Sequence, residues 1–308
     1  MRLLRPLLLT LIASVSTAAT VASLTGGFSS SSSSSETEAL LNALLEGDHS
    51  ATGLPQQSPD PTSERVPHQA IALEPDDTTI DPLLRVALLS QRPIRVVHPQ
   101  GQSTCSTIAG EPVSPASLKR LLTGLSQTRL RCGTPAGTVK VNGRTYQGII
   151  HLFNRGQGWM AVNEINMERY VSSVVGAEMP SAWNEEALKA QAVAARSYGL
   201  VHLIRPASSD WNLGDTTRWQ AYAGQASSTA RTRKATEATR GQVLSHQGGL
   251  VESLYAATQA IVDEAHSHLG ASMSQNGAQK LAQQGLTYIQ ILDRYYNGAT
   301  LARVRRDG

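Results

Sequence analysis

The segment from Asn184 to Pro206 constrains the fold more than any other part of the chain. Asn184 is a favourable helix N-cap, Glu185 and Glu186 suit the positive end of a helix dipole, and Pro206 stops the helix from continuing. Between them, Ala187, Ala190, Ala192, Ala194 and Ala195 leave a thin, smooth cylinder that other backbone can approach closely.

Shorter elements flank it. Leu84–Leu89 and Ile94–His98 are apolar runs consistent with strands, and Pro115–Leu125 puts Leu118, Leu121, Leu122 and Leu125 on one helical face. Thr138–Asn142, Gly143 and Arg144–Gly148 predict a hairpin with an Asn-Gly turn, with further strands at Ile149–Phe153 and Trp159–Asn163. Downstream, a helix over Thr229–Arg240 ends at Gly241. A second hairpin is predicted from Gln242–Ser245 through a Gly248-Gly249 turn to Val251–Ala256, and helices at Ser274–Gln284 and Tyr288–Tyr295. Strands and helices without regular alternation predict an α+β fold: a single mixed domain over residues 81–308, with short antiparallel strands and several helices.

What precedes the body reads differently. Arg2 and Arg5, an apolar run from Leu7 to Leu24 and small residues near its end read as an export signal over residues 1–24. The competing reading is an uncleaved membrane tether through residues 7–24. Either way the body is exported: periplasmic, cell-wall associated, or anchored and facing outward. Residues 25–80, with seven consecutive serines and then a stretch rich in Pro, Gln, Ser and Asp, form a low-complexity, disordered linker by composition. Cys105 and Cys132 join as a disulfide in an oxidising compartment, or else remain two buried thiols. A net charge of +3 argues against a dedicated nucleic-acid binder.

The apolar, β-prone run Val171–Gly176 leads to Glu178, and Pro180 holds Met179 extended. A carboxyl among Val175, Met179 and Trp183 loses hydration, which raises its pKa. That is the property a general acid needs near neutral pH. The competing reading makes Glu178 a structural hydrogen-bond acceptor.

The runs Val162-Asn-Glu-Ile-Asn-Met-Glu-Arg-Tyr-Val171, Val174-Val-Gly-Ala-Glu-Met-Pro180, Trp183 and Glu186-Ala-Leu-Lys-Ala-Gln-Ala-Val-Ala-Ala-Arg-Ser-Tyr198 together carry a family pattern. With Asp215–Tyr222, Ala235–Leu244, Met273–Ala278 and Tyr295–Gly298, the chain resembles the stage II sporulation protein D / amidase-enhancer family (SpoIID/LytB) over about residues 82–301. The resemblance implies binding of peptidoglycan glycan strands and, in the sporulation branch, lytic transglycosylase activity that leaves a 1,6-anhydro end. The family's catalytic glutamate, in its Glu-Met-Pro motif, falls on Glu178.

The substrate-binding set read alongside it is Lys189, Arg196, Asp215, Gln220, Tyr222, His268, Ser274 and Gln275. Lys189 and Arg196 share one side of their helix and serve either sugar groups or internal salt bridges. Trp211 and Trp219 either stack on sugars or pack locally. Asp263, Glu264, His266 and His268 lack a third fixed ligand at metal-binding spacing, so neither a metal nor another cofactor is expected. The chain departs from the family after Tyr255, where Ala256-Ala-Thr-Gln-Ala260 replaces a Gly-rich turn and a long insertion. A shortened variant of this kind is either a cutting enzyme or a non-catalytic wall-binding module that enhances a cell-wall amidase.

Overall fold

Asn142 and Gly143 form the tip of a long hairpin, at φ values of 47° and 88° that an Asn-Gly turn accommodates. The computed structural model describes residues 79–124, 127–265 and 271–305. Its first part runs β1 (Leu83–Ala87), a 3-10 turn at Leu89–Gln91, β2 (Val97–Gln100), β3 (Cys105–Thr107), β4 (Pro112–Val113) and α1 (Pro115–Thr123). The hairpin arms are β5 (Leu130–Val141) and β6 (Arg144–Asn154), and β7 (Trp159–Asn166) follows. Arg144–Gly148 and Ile149–Phe153, predicted as separate strands, are therefore one continuous strand. Its partner β5 absorbs an irregularity between Gly133 and Thr138.

These strands build an eight-stranded sheet in the order β4-β3-β5-β6-β7-β1-β8, where β8 is Leu213–Gly214 and β2 pairs with β5 off the main path. Only the β1–β8 pairing is parallel. Cys105 and Cys132 are directly opposite on β3 and β5 and are joined as a disulfide.

The sheet leads into α2 (Met167–Glu178) and α3 (Glu185–Ile204). Here one expectation is corrected: Val171–Gly176 is helical, not a strand. Met167, Tyr170, Val171, Val174 and Val175 recur at helical spacing and all are buried, so burial of one helical stripe overrides the β preference of valine. Asp81 caps this helix by accepting the Glu168 N–H at 3.0 Å. Met179 is extended, as Pro180 requires.

α3 starts as expected, with Asn184 accepting from the Glu186 N–H at 2.9 Å. It is the hub of the second half of the fold. Its alanines are fully buried, and it contacts α2, α4 (Ala230–Ala238), β9 (Gln242–His246), α6 (Gln275–Gln283) and α7 (Tyr288–Tyr295).

The predicted second hairpin is shorter than expected. The turn is Gln247-Gly248 rather than Gly248-Gly249, and it returns only through β10 (Gly249–Leu250). Beyond it, β11 (Leu254–Ala256) leaves the hairpin and pairs in parallel with β12 (Ser272–Ser274), just before α6; α5 (Gln259–Ala265) lies between these two strands in sequence. The other edge of β9 is covered by β13 (Thr300–Arg303). The two ends of the described chain meet: Thr79 bridges to Arg305, and the Ile80 N–H donates to the Val304 carbonyl at 3.3 Å. The fold is α+β. No helix among the described residues is long and apolar enough to cross a membrane. The signal or anchor segment 1–24, and the linker 25–80 up to residue 78, lie outside the described residues.

Candidate active site

Glu178 is the last residue of α2, at the helix end where unsatisfied carbonyls disfavour negative charge. Its Oε1 accepts the Ala221 N–H at 2.7 Å, and its Oε2 lies 3.4 Å from the Gln275 amide nitrogen that donates to it. Neither donor is charged. Burial pushes the carboxyl above its ordinary pKa, and the bonds from Ala221 and Gln275 only partly oppose that.

The two donors are held by separate devices. Ser274 caps α6, accepting the Gly277 N–H at 3.1 Å, and this sets Gln275 as the first helical residue beside Glu178. Ala221 is fixed through its neighbours. Gln220 is fully buried and accepts from the Tyr170 hydroxyl at 2.7 Å. Its amide donates to the Tyr255 hydroxyl at 2.8 Å and to the Ala195 carbonyl of α3 at 3.2 Å. On the other side, the Tyr222 hydroxyl donates to Asn163 at 2.6 Å, with its ring 5.2 Å from that of Tyr170. The peptide N–H that meets Glu178 is thus pinned on both sides to the core. Burial keeps the hydroxyls of Tyr170, Tyr222 and Tyr255 protonated, far above their usual range.

Of the residues read as substrate-binding, Gln275 touches Glu178, while Gln220, Tyr222 and Ser274 stand behind the site as supports. Three others make internal contacts, which for Lys189 and Arg196 is the salt-bridge reading of the two. Arg196 is 1 % exposed and forms a two-pronged pair with Glu168, at 2.9 and 2.7 Å. Its remaining N–H groups go to the carbonyls of Ala192, Gln242 and Thr236, so none is left for a sugar. Lys189 binds Glu186 at 2.8 Å and Glu185 at 3.4 Å and lies over the Tyr288 ring. Asp215, buried, accepts from the backbone and hydroxyl of Ser90 and so ties the first 3-10 turn to β8. His268 lies outside the described residues.

The tryptophans also pack locally, Trp211 stacking on Phe153 at 6.5 Å and Trp219 against Gly214. Among the described residues no group of three or more potential metal ligands is found. Sequence reasoning passed over Tyr170, Tyr255 and the Ala221 N–H. Tyr170 carries a signal, since its place in the buried α2 stripe puts a hydroxyl inside the core, where it needs a partner. A backbone N–H carries none.

Glu178 is thus a half-buried carboxyl with a raised pKa, fixed by two neutral donors at a helix end on an α+β frame. Residues 155–246 match the stage II sporulation protein family (SpoIID). This segment contains Glu178 and all of α3, and across it the chain is similar to that family. It is 36% identical over 102 residues to the amidase enhancer of Bacillus subtilis, covering 33% of this chain and 14% of that protein. It is 31% identical over 113 residues to the stage II sporulation protein D of the same organism, covering 32% of this chain and 33% of the relative. An uncharacterised protein of Brachyspira hyodysenteriae is 33% identical over 118 residues, which cover 38% of this chain and 32% of that protein. The matched stretch therefore spans about a third or less of each of these relatives.

Proposed function

We propose that the protein is exported, binds the glycan strands of peptidoglycan and cuts them as a lytic transglycosylase, with Glu178 as both acid and base. The observation that carries this reading is the Glu178 carboxyl itself: burial raises its pKa, and its two hydrogen-bond partners are neutral. In the protonated form it gives its proton to the glycosidic oxygen between N-acetylmuramic acid and N-acetylglucosamine. The C–O bond breaks, the muramic 6-hydroxyl attacks the anomeric carbon, and the resulting carboxylate takes that hydroxyl's proton. The product is a 1,6-anhydro end, and Glu178 is protonated again for the next cycle.

A hydrolase of the same bond normally needs a second carboxylate. Asp215, the other buried acid of this loop region, is committed to Ser90, which favours ring closure by the sugar over attack by water. Peptide-stripped glycan strands incubated with the protein should yield 1,6-anhydro ends by mass spectrometry. Glu178→Gln should lower the rate by about 10²–10⁴-fold. Equal product from the variant and the unaltered chain would refute the assignment.

The likeness to an amidase enhancer favours a second reading, a wall-binding module that stimulates an amidase. It predicts glycan co-sedimentation unchanged by Glu178→Gln, no anhydro ends, and faster amidase turnover when the protein is added.

A further inference from the structure

The charges of this chain are divided along its length. Residues 25–78 carry nine Asp and Glu against one Arg, whereas residues 79–308 carry 24 Lys and Arg against 15 Asp and Glu. The excess is concentrated in residues 79–166, the part that supplies β1 to β7, with ten Lys and Arg against three acids. An acidic stretch and a basic sheet joined in one chain attract each other.

One place on the basic part suits an occupant. A hollow of about 530 Å³ lies at the tip of the long hairpin, where Asn142 and Gly143 adjoin Arg92, Pro93, Arg95 and Val96. Its frame is firm. The Asn142 side chain accepts from the backbone N–H groups of Arg95 and Val96 at 2.9 and 3.1 Å, and donates to the carbonyls of Gln91 and Pro93 at 2.6 and 2.9 Å. No carboxylate lines the hollow, and Ser90 at its edge is already bonded to the buried Asp215. Arg92 spends one N–H on the Gln157 carbonyl at 3.3 Å, and the exposed Arg95 has no ion pair among the described residues. Most of the five N–H donors of each guanidinium therefore remain available. Beside them Val96 is 43% exposed, an apolar side chain left open to water.

We propose that residues 36–48 of the same chain dock in this hollow. In that stretch Glu36, Glu38, Glu46 and Asp48 flank Leu40, Leu41, Leu44 and Leu45, with no Lys or Arg among them. The carboxylates meet Arg92 and Arg95, and the leucines cover Val96 and Pro93. Thirty residues separate Asp48 from Thr79, where the described chain begins. An extended chain of that length reaches at most about 100 Å, well beyond the ~17 Å radius of gyration of a domain of this size. Exposed ion pairs are individually weak, but a tethered partner binds at an effective concentration of about millimolar. The docked segment screens the hairpin tip from other polyanions, a contact independent of the chemistry at Glu178.

The test uses the full isotope-labelled chain with a nitroxide spin label attached through Asn42→Cys. In nuclear magnetic resonance spectra the amide signals of Arg95, Val96 and Gly143 should lose most of their intensity relative to the same sample with the label quenched. The loss should vanish when Arg92→Ala and Arg95→Ala are added. It should vanish equally when Glu36→Gln, Glu38→Gln, Glu46→Gln and Asp48→Asn are added instead, with thermal unfolding unchanged in both variants. Inorganic polyphosphate, a competing polyanion, should restore the signals. No loss at these signals, or a loss that survives either set of substitutions, would overturn the proposal. So would a loss of equal size in isotope-labelled chain without the spin label mixed with spin-labelled chain, which makes the occupant a second copy. Polyphosphate that shifts these signals in a chain showing no loss would overturn it too, since the hollow then serves a polyanion from outside.

Discussion

The proton on Glu178 is governed by burial on one side and by two uncharged donors on the other. A carboxyl whose pKa is raised on folding adds stability that is fully present below its unfolded value and is lost as pH rises through the raised one. Glu178→Gln cannot ionise, so it should unfold at a higher temperature than the unaltered chain at neutral pH, and the gap should close in acid. Scanning calorimetry at several pH values measures this, and a gap independent of pH would contradict it. The same sign applies to the proposed chemistry: the acid must begin protonated, so cutting should decline as pH rises through the raised pKa of Glu178.

The Arg196–Glu168 pair follows a different logic because both groups are buried. Arg196→Ala strands an uncompensated carboxylate and should cost about 3–5 kcal/mol in urea unfolding. Replacing both residues by apolar ones of similar size should cost less.

At the scale of elements, α2 joins the frame to the site, and its closest contact is at Gly176. A Cβ built there would come within 1.9 Å of the Ser227 carbonyl oxygen, so Gly176→Ala must displace the 3-10 turn at Gly224–Ser227. The expected loss is about 1–3 kcal/mol, the usual cost of overpacking. Reduction of the Cys105–Cys132 bond, which closes a loop of 27 residues, should remove roughly 3–4 kcal/mol by freeing the unfolded chain. Both are read by chemical denaturation.

These elements also mark what was legible in the sequence. The cap at Asn184, the alanine run and the Asn-Gly turn are local signals, and each element lies where they put it. The strand expected at Val171–Gly176 failed because valine's β preference outweighed a helical spacing present in the same residues. The fate of β11 had no local signal at all, since its partner β12 lies beyond α5. The burial of Glu178 was legible from its apolar neighbours and Pro180. The directions of Lys189 and Arg196 depended on Glu186 and Glu168, and only the second requires tertiary structure to bring the partners together.

For the whole molecule, two sets of carboxyls oppose each other. Asp81, Glu178 and Asp215 are all raised chiefly by burial, whereas Glu164, Glu185 and Glu237 are lowered, first by hydrogen bonds from His151, Lys234 and Arg240. The first three contribute more stability as pH falls from neutral toward the ordinary carboxylate range, and the other three lose their contributions in the same direction. Asp81→Asn removes one of the raised group, so it should shift the unfolding midpoint at neutral pH upward relative to that in mild acid and, in addition, perturb the start of α2.

The meeting of Thr79 with Arg305 has a consequence for engineering. Residues already in contact can be joined by a short linker, and new termini can be opened in an exposed turn such as Gln247-Gly248. A circular permutant made this way would keep Asp81 at the head of α2 through a covalent connection rather than a bridge between ends. It would also allow the domain to be grafted as an insert into a loop of a host protein, its two attachment points side by side.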